Sequence, residues 1–150
     1  MDSKAFAGTL DSLGLIRDYV KAAATMAGLD KKRTYDLCLA VDEIATNIIL
    51  YGYQAAGLSG EVVVRAEIDD QNLTVTLEDE GESFNPLQQT MPTEEDLTRA
   101  LEDRPIGGLG LFLAIKGIDE FKYERVRGRN RNIFVEHLPP ATQTRETAQA

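Results

Sequence analysis

Between positions 37 and 53 the apolar residues Leu37, Val41, Ile44, Ile48 and Tyr51 recur at steps of three and four. That spacing gathers them on one stripe of an amphipathic helix and predicts a core-facing element there. Asp30 stands where a cap for this helix is needed. An earlier run, Leu13, Ile16, Val20, Ala23 and Ala24, has the same period and predicts a helix over about 11–28, stopped by Gly28. The residues before it could form a short strand or an arm, and the sequence leaves both open.

Past Gly57 and Gly60 the period changes to two. Residues 61–69 and 73–79 are β-branched and alternate, and the DDQN between them predicts a hairpin turn. Gly81 and Pro86 end that pattern. Residues 87–106 lack a strong apolar stripe. Within them Thr93, followed by Glu94, Glu95 and Asp96, predicts a short helix to about Glu102, closed off before Pro105. A segment of this length is either a movable lid or an ordinary surface insertion. Gly107 to Gly110 then open a helix that carries Leu111, Ala114, Ile115 and Ile118 on one face. Two closing strands are predicted at 121–126 and 133–137, joined through 128–132.

Helices on one face of such hairpins make an α/β (α+β) two-layer sandwich with a mixed, largely antiparallel sheet. The domain is expected over 1–138, and the polar residues 139–150 are expected to form a disordered tail.

Composition narrows the function. A chain of 150 residues with 43% hydrophobic content is one domain with a sufficient core. A net charge of -9 argues against a nucleic-acid partner, which needs a basic patch. Arg125, Arg127, Arg129 and Arg131 do cluster, as do acids at 69–70, 78–82 and 94–96; the ordinary reading of each is a solvated face. Cys38, the single cysteine, excludes an internal disulfide and a cysteine metal cluster, and its apolar neighbours predict a buried structural thiol. His137 alone cannot make a multi-histidine site. Neither a signal peptide nor an apolar run of membrane-spanning length is present, so a soluble, cytoplasmic protein with no membrane partner is expected.

Three motifs carry candidate chemistry. Glu43 and Asn47, four apart, stack on one helix face, where a carboxylate and a carboxamide can converge on a hydrated metal ion and a hydroxyl. Asp79, Gly81 and Phe84 lie in DEGESFNP, directly after a strand. A carboxylate there can accept the exocyclic amine of adenine, and Gly81 lets the backbone pass close to the purine. Gly107, Gly108, Leu109 and Gly110 (GGLG) start a helix, where free N–H groups and the dipole favour phosphate. Asn47 carries an oxygen suited to magnesium, which leaves Glu43 as a general base.

In this order the motifs resemble the Bergerat-type ATP-binding fold shared by gyrase and histidine kinases, and within it the anti-sigma-factor serine-protein kinases. VDEIATN, DEGESFNP and RPIGGLGLFLAIKGIDE are similar to that family's three boxes, and YERVRGRNRNIFVE to its last strands; the likeness spans about 10–138. The resemblance implies ATP or ADP with Mg as cofactors, Asn47 as the metal ligand and Glu43 as the catalytic base. It implies Asp79 and Gly81 at the adenine, the three glycines at the phosphates, and 87–106 as the ATP lid, from which Arg104 could reach a phosphate. It implies phosphorylation of a serine on an anti-anti-sigma (STAS-type) protein, binding of a sigma factor, and a homodimer. Tyr51 stands where the family often has His, Ile48 where a small residue is common, and Ser83 and Asn85 where Pro and Asp are common. A nucleotide-dependent binding module without kinase activity is the alternative. The ATP-binding half of a sensor histidine kinase fits less well, because His137 falls in a closing strand.

Overall fold

The computed structural model describes residues 1–86 and 108–139. The expected lid over 87–106, its short helix, Arg104 and Gly107 lie outside the described residues, as does the tail beyond Pro139.

The helical periods produce the expected helices. A short 3-10 turn, Leu10–Ser12, leads into α1, Leu13–Ala27, which Gly28 ends at φ 80. The next helix, α2, Lys31–Asn47, is capped as predicted, the Asp30 carboxylate accepting the Arg33 amide proton at 2.8 Å. After Asn47 the coil widens into a π-helix, Ile48–Gln54, and the amides of Ala55 and Leu58 donate to the Leu50 and Tyr53 carbonyls, each at 2.8 Å. This corrects the predicted stripe. A five-residue hydrogen-bond step moves the inward position from residue 51 to Gly52 and Tyr53, and Tyr51 is left 47% exposed.

The opening residues resolve into a strand, β1, Lys4–Ala7, followed later by β2, Glu61–Ile68, and β3, Asn72–Asp79. A helix, α3, Gly108–Lys116, precedes β4, Glu120–Val126, and β5, Arg129–His137. The sheet order is β1-β2-β3-β5-β4, and all four pairings are antiparallel. On its helix-facing side Val62, Val64, Leu73, Val75, Leu77 and Phe134 pack against Ile16 and Val20 of α1, Leu37 and Ile44 of α2, and Leu111 and Ala114 of α3. Cys38 is half-buried at the edge of this core, and burial pushes its thiol up.

At the His137 end of β5 the Arg33 guanidinium donates to Glu136 at 2.7 Å, Asp119 at 2.9 Å and the His137 carbonyl at 2.6 Å. Glu136 is buried, and its Oε1 has no partner among the described residues. Burial pushes the Glu136 carboxyl up to about 7; Arg33 opposes this and Asp119 adds to it. Burial would raise Asp119 too, but the His137 amide, Glu136 and Arg33 together bring it below its usual value. A carboxyl raised by folding gives stability that is fully present below its unfolded value, and that is lost as pH rises through the folded one. For Glu136 that window runs from 4.5 to about 7. Glu136→Gln should therefore stabilise the protein more at pH 8 than at pH 4, by about 2 kcal/mol after allowing for the solvent-facing Arg33 and Asp119. Urea unfolding at the two pH values measures it; an equal effect at both would contradict the assignment.

Candidate nucleotide site

The inward alternation of β3 (Leu73, Val75, Leu77) ends on Asp79, so its carboxylate is turned toward the helices and is 3% exposed. Its Oδ1 accepts the Gly81 amide and the Asn130 side-chain amide, both at 2.9 Å. Its Oδ2 is buried with no partner among the described residues. Burial raises the Asp79 carboxyl, while Asn130, the Gly81 amide and Arg125 pull it back down. A desolvated carboxylate oxygen without a donor is costly, and an N–H brought to it would be bound in proportion.

The loop after Asp79 lies on the π-helix. The Glu82 amide donates to the Gly52 carbonyl at 2.9 Å, and a Cβ on Gly81 would stand 2.8 Å from that same oxygen. Contact with Gly52 is thus sufficient reason for glycine at 81. The Tyr53 hydroxyl donates to the Glu61 carbonyl at 2.6 Å and accepts the Glu80 amide at 3.0 Å. The Tyr53 ring fits against Gly8 and Gly60, where a Cβ at either would approach it to 2.8 Å. Tyr51, displaced from the core, stacks on the half-buried Phe84 with centroids 5.9 Å apart.

Glu43 and Asn47 are half-buried on α2, one turn apart, with no hydrogen-bond partner among the described residues. Burial, and then the neighbouring Asp42 charge, raise the Glu43 carboxyl. Gly108, Leu109 and Gly110 form the first turn of α3. This helix packs along α2, and Gly117, just past its end, sits against Asp36 near the start of α2. Gly52, Asp79, Gly81 and, through Tyr51, Phe84 come together at the end of the π-helix, which continues directly from the α2 turn that carries Glu43 and Asn47.

Three residues of this end escaped the sequence reading. Asn130 is buried, and its amide NH2 donates to Asp79 Oδ1, to the Gly81 carbonyl at 3.1 Å and to the Glu82 carbonyl at 3.2 Å. Its Oδ1 accepts from the Tyr123 hydroxyl at 2.5 Å and from Arg125 at 2.8 Å. The sequence predicts a joining segment at 128–132; Asn130 belongs instead to β5, whose inward positions are Asn130, Asn132, Phe134 and Glu136. The step of two was the available signal, masked by the low strand preference of asparagine.

Comparison with known proteins fits this geometry. The model of the histidine kinase-like ATPase domain matches residues 6–134. The chain belongs to the histidine kinase-like ATPase family. Two relatives in this family are the anti-sigma F factor of Clostridium acetobutylicum, 31% identical over 67% of this chain, and the serine-protein kinase RsbW of Bacillus subtilis (strain 168), 30% identical over 77%. The chain spans 66% of the length of the first and 72% of the second. Among solved structures, the RsbU and RsbW domains of a Mycobacterium tuberculosis protein superpose with a TM-score of 0.61 at 19% identity, covering 94% of this chain and 34% of that one. The histidine kinase domain of a blue-light activated kinase from Erythrobacter litoralis gives 0.53 at 16% identity, over 91% and 64% of the two chains. These two show the histidine kinase-like ATPase fold, with its five-stranded antiparallel sheet.

Proposed function

We propose that this histidine kinase-like ATPase is an ATP-dependent protein serine kinase and anti-sigma factor. It transfers phosphate to a serine of an anti-anti-sigma (STAS-type) protein and sequesters a sigma factor by partner switching, as a cytoplasmic homodimer. The names of its relatives support the kinase and anti-sigma roles. Among the described residues no helix is long and apolar enough to cross a membrane.

The observation that carries the nucleotide reading is the buried Asp79 Oδ2, which has no partner among the described residues and matches the exocyclic amine of adenine. Gly108, Leu109 and Gly110 offer the phosphates a helix N-terminus, and Gly107, which precedes them in the sequence, is proposed as a further phosphate contact. Arg104, in the expected lid over 87–106 and outside the described residues, is a proposed phosphate contact on the family resemblance alone. Phe84 closes the base side of the site. Among the described residues no three His, Cys, Asp or Glu side chains gather into a cage for a metal ion. The unengaged amide oxygen of Asn47 is the donor type magnesium takes when nucleotide oxygens and water complete its shell. Magnesium, when bound, neutralises phosphate charge. Glu43 accepts the proton of the attacking serine hydroxyl, and its raised carboxyl suits that role.

Melting with saturating Mg-ATP or Mg-ADP tests the site: nucleotide at about 100 times the dissociation constant stabilises the folded form by about 2.7 kcal/mol. Transfer of labelled phosphate to the anti-anti-sigma protein tests the kinase. Tight partner binding without transfer would favour a nucleotide-dependent binding module instead. Asn47→Ala should abolish magnesium-dependent nucleotide affinity and leave the fold intact; calorimetry that finds Mg-ATP binding unchanged would remove Asn47 from the site.

A further inference from the structure

We propose that Asn130 is the positioning residue that sets base specificity: it holds the Asp79 carboxylate so that only Oδ2 faces the purine edge, which admits a 6-amino purine and rejects a 6-oxo purine. The inference rests on the nucleotide reading of the site.

The amide can face only one way. Its NH2 meets three acceptors, Asp79 Oδ1 and the Gly81 and Glu82 carbonyls, and its oxygen meets two donors, Tyr123 and Arg125. Turned over, it would set oxygen against three oxygens and NH2 against a guanidinium. The two donors are themselves tied to the loop that follows Asp79: Arg125 reaches the Gly81 carbonyl at 3.4 Å, and the Tyr123 hydroxyl lies 3.3 Å from Ser83 Oγ. Ser83 thus touches the same network. With Oδ1 held by two donors, Asp79 cannot swing, and Oδ2 keeps its lone pairs for one incoming group.

An acceptor fixed in that place attracts the N–H of an amino group and repels the lone pairs of a carbonyl. Without Asn130 the buried carboxyl is free to turn or to take up a proton, since the charged groups acting on it, Arg125 and Glu78, oppose each other. A carboxyl O–H then donates to a 6-oxo group, and the preference weakens.

Calorimetry of the whole chain with magnesium and either ATP or inosine triphosphate tests this, because the two bases differ at the C6 edge. The wild type should prefer ATP by about 100-fold or more. Asn130→Leu should narrow that ratio at least tenfold, about one step of 1.4 kcal/mol. The double variant Tyr123→Phe with Arg125→Met, which keeps the amide but removes its anchors, should narrow it by roughly threefold. Equal loss of affinity for both nucleotides in Asn130→Leu would reduce Asn130 to a structural role and overturn the proposal. Should that variant not fold, an unchanged ratio in the double variant overturns it. A wild type that binds neither nucleotide fails the site reading itself, and this inference with it; one that binds both equally fails this inference alone.

Discussion

Glu43→Gln should slow phosphate transfer to the anti-anti-sigma serine by about 10²–10⁴-fold, while Mg-ATP affinity stays within about threefold of wild type. The carboxamide keeps the shape of the side chain and its place on α2 but cannot take up a proton. Affinity is spared because Glu43 makes no hydrogen bond that the substitution would break. The carboxyl is raised first by burial and then by Asp42, so the wild-type rate should climb with pH through a value above the ordinary carboxylate range. A base acts only when ionised, which sets the sign of that climb. Single-turnover transfer of labelled phosphate across pH measures both effects. Rates in the variant equal to wild type would mean that another group is the base.

Asp79→Ala should weaken ATP binding by about 100-fold or more, because it deletes a charged acceptor in a desolvated place. It should also lower stability by about 1–3 kcal/mol, since the Gly81 amide and the Asn130 NH2 lose their shared acceptor. The two effects separate experimentally, through calorimetry for the nucleotide and urea unfolding of the free protein for the fold. ATP affinity within about threefold of wild type would place the base elsewhere.

Where one period runs unbroken the sequence was readable: α1, α2 and the β2–β3 hairpin follow their apolar spacing closely. Asp79 ends the strand as its place after an alternating run predicts, and the structure adds that it is the last inward position. The misreadings have physical causes. Tyr51 continued the three-and-four spacing, and nothing in residues 48–54 announces a π-helix. The β4–β5 turn is only Arg127–Gly128, with Arg127 at φ 53, a conformation usual for glycine and unforeseeable for arginine. With so short a turn the strand begins at Arg129, and Asn130 lies inside it rather than in the joining segment. The acidic and basic clusters looked like separate solvated faces. Two of them meet, with Arg129 on Glu78 at 2.9 Å and on Glu80 at 3.0 Å, a pairing set by strand register that no single segment reveals.

The chain contains five tyrosines and no tryptophan. Tyr51, Tyr53 and Tyr123 all touch the elements around Asp79, by stacking, by the Glu80 amide and through Asn130. Three of the five tyrosines thus stand at the candidate nucleotide site. Titration with unlabelled ATP should change the intrinsic ultraviolet emission in a Tyr35→Phe background as it does in wild type, which gives the binding assays an optical signal without a dye.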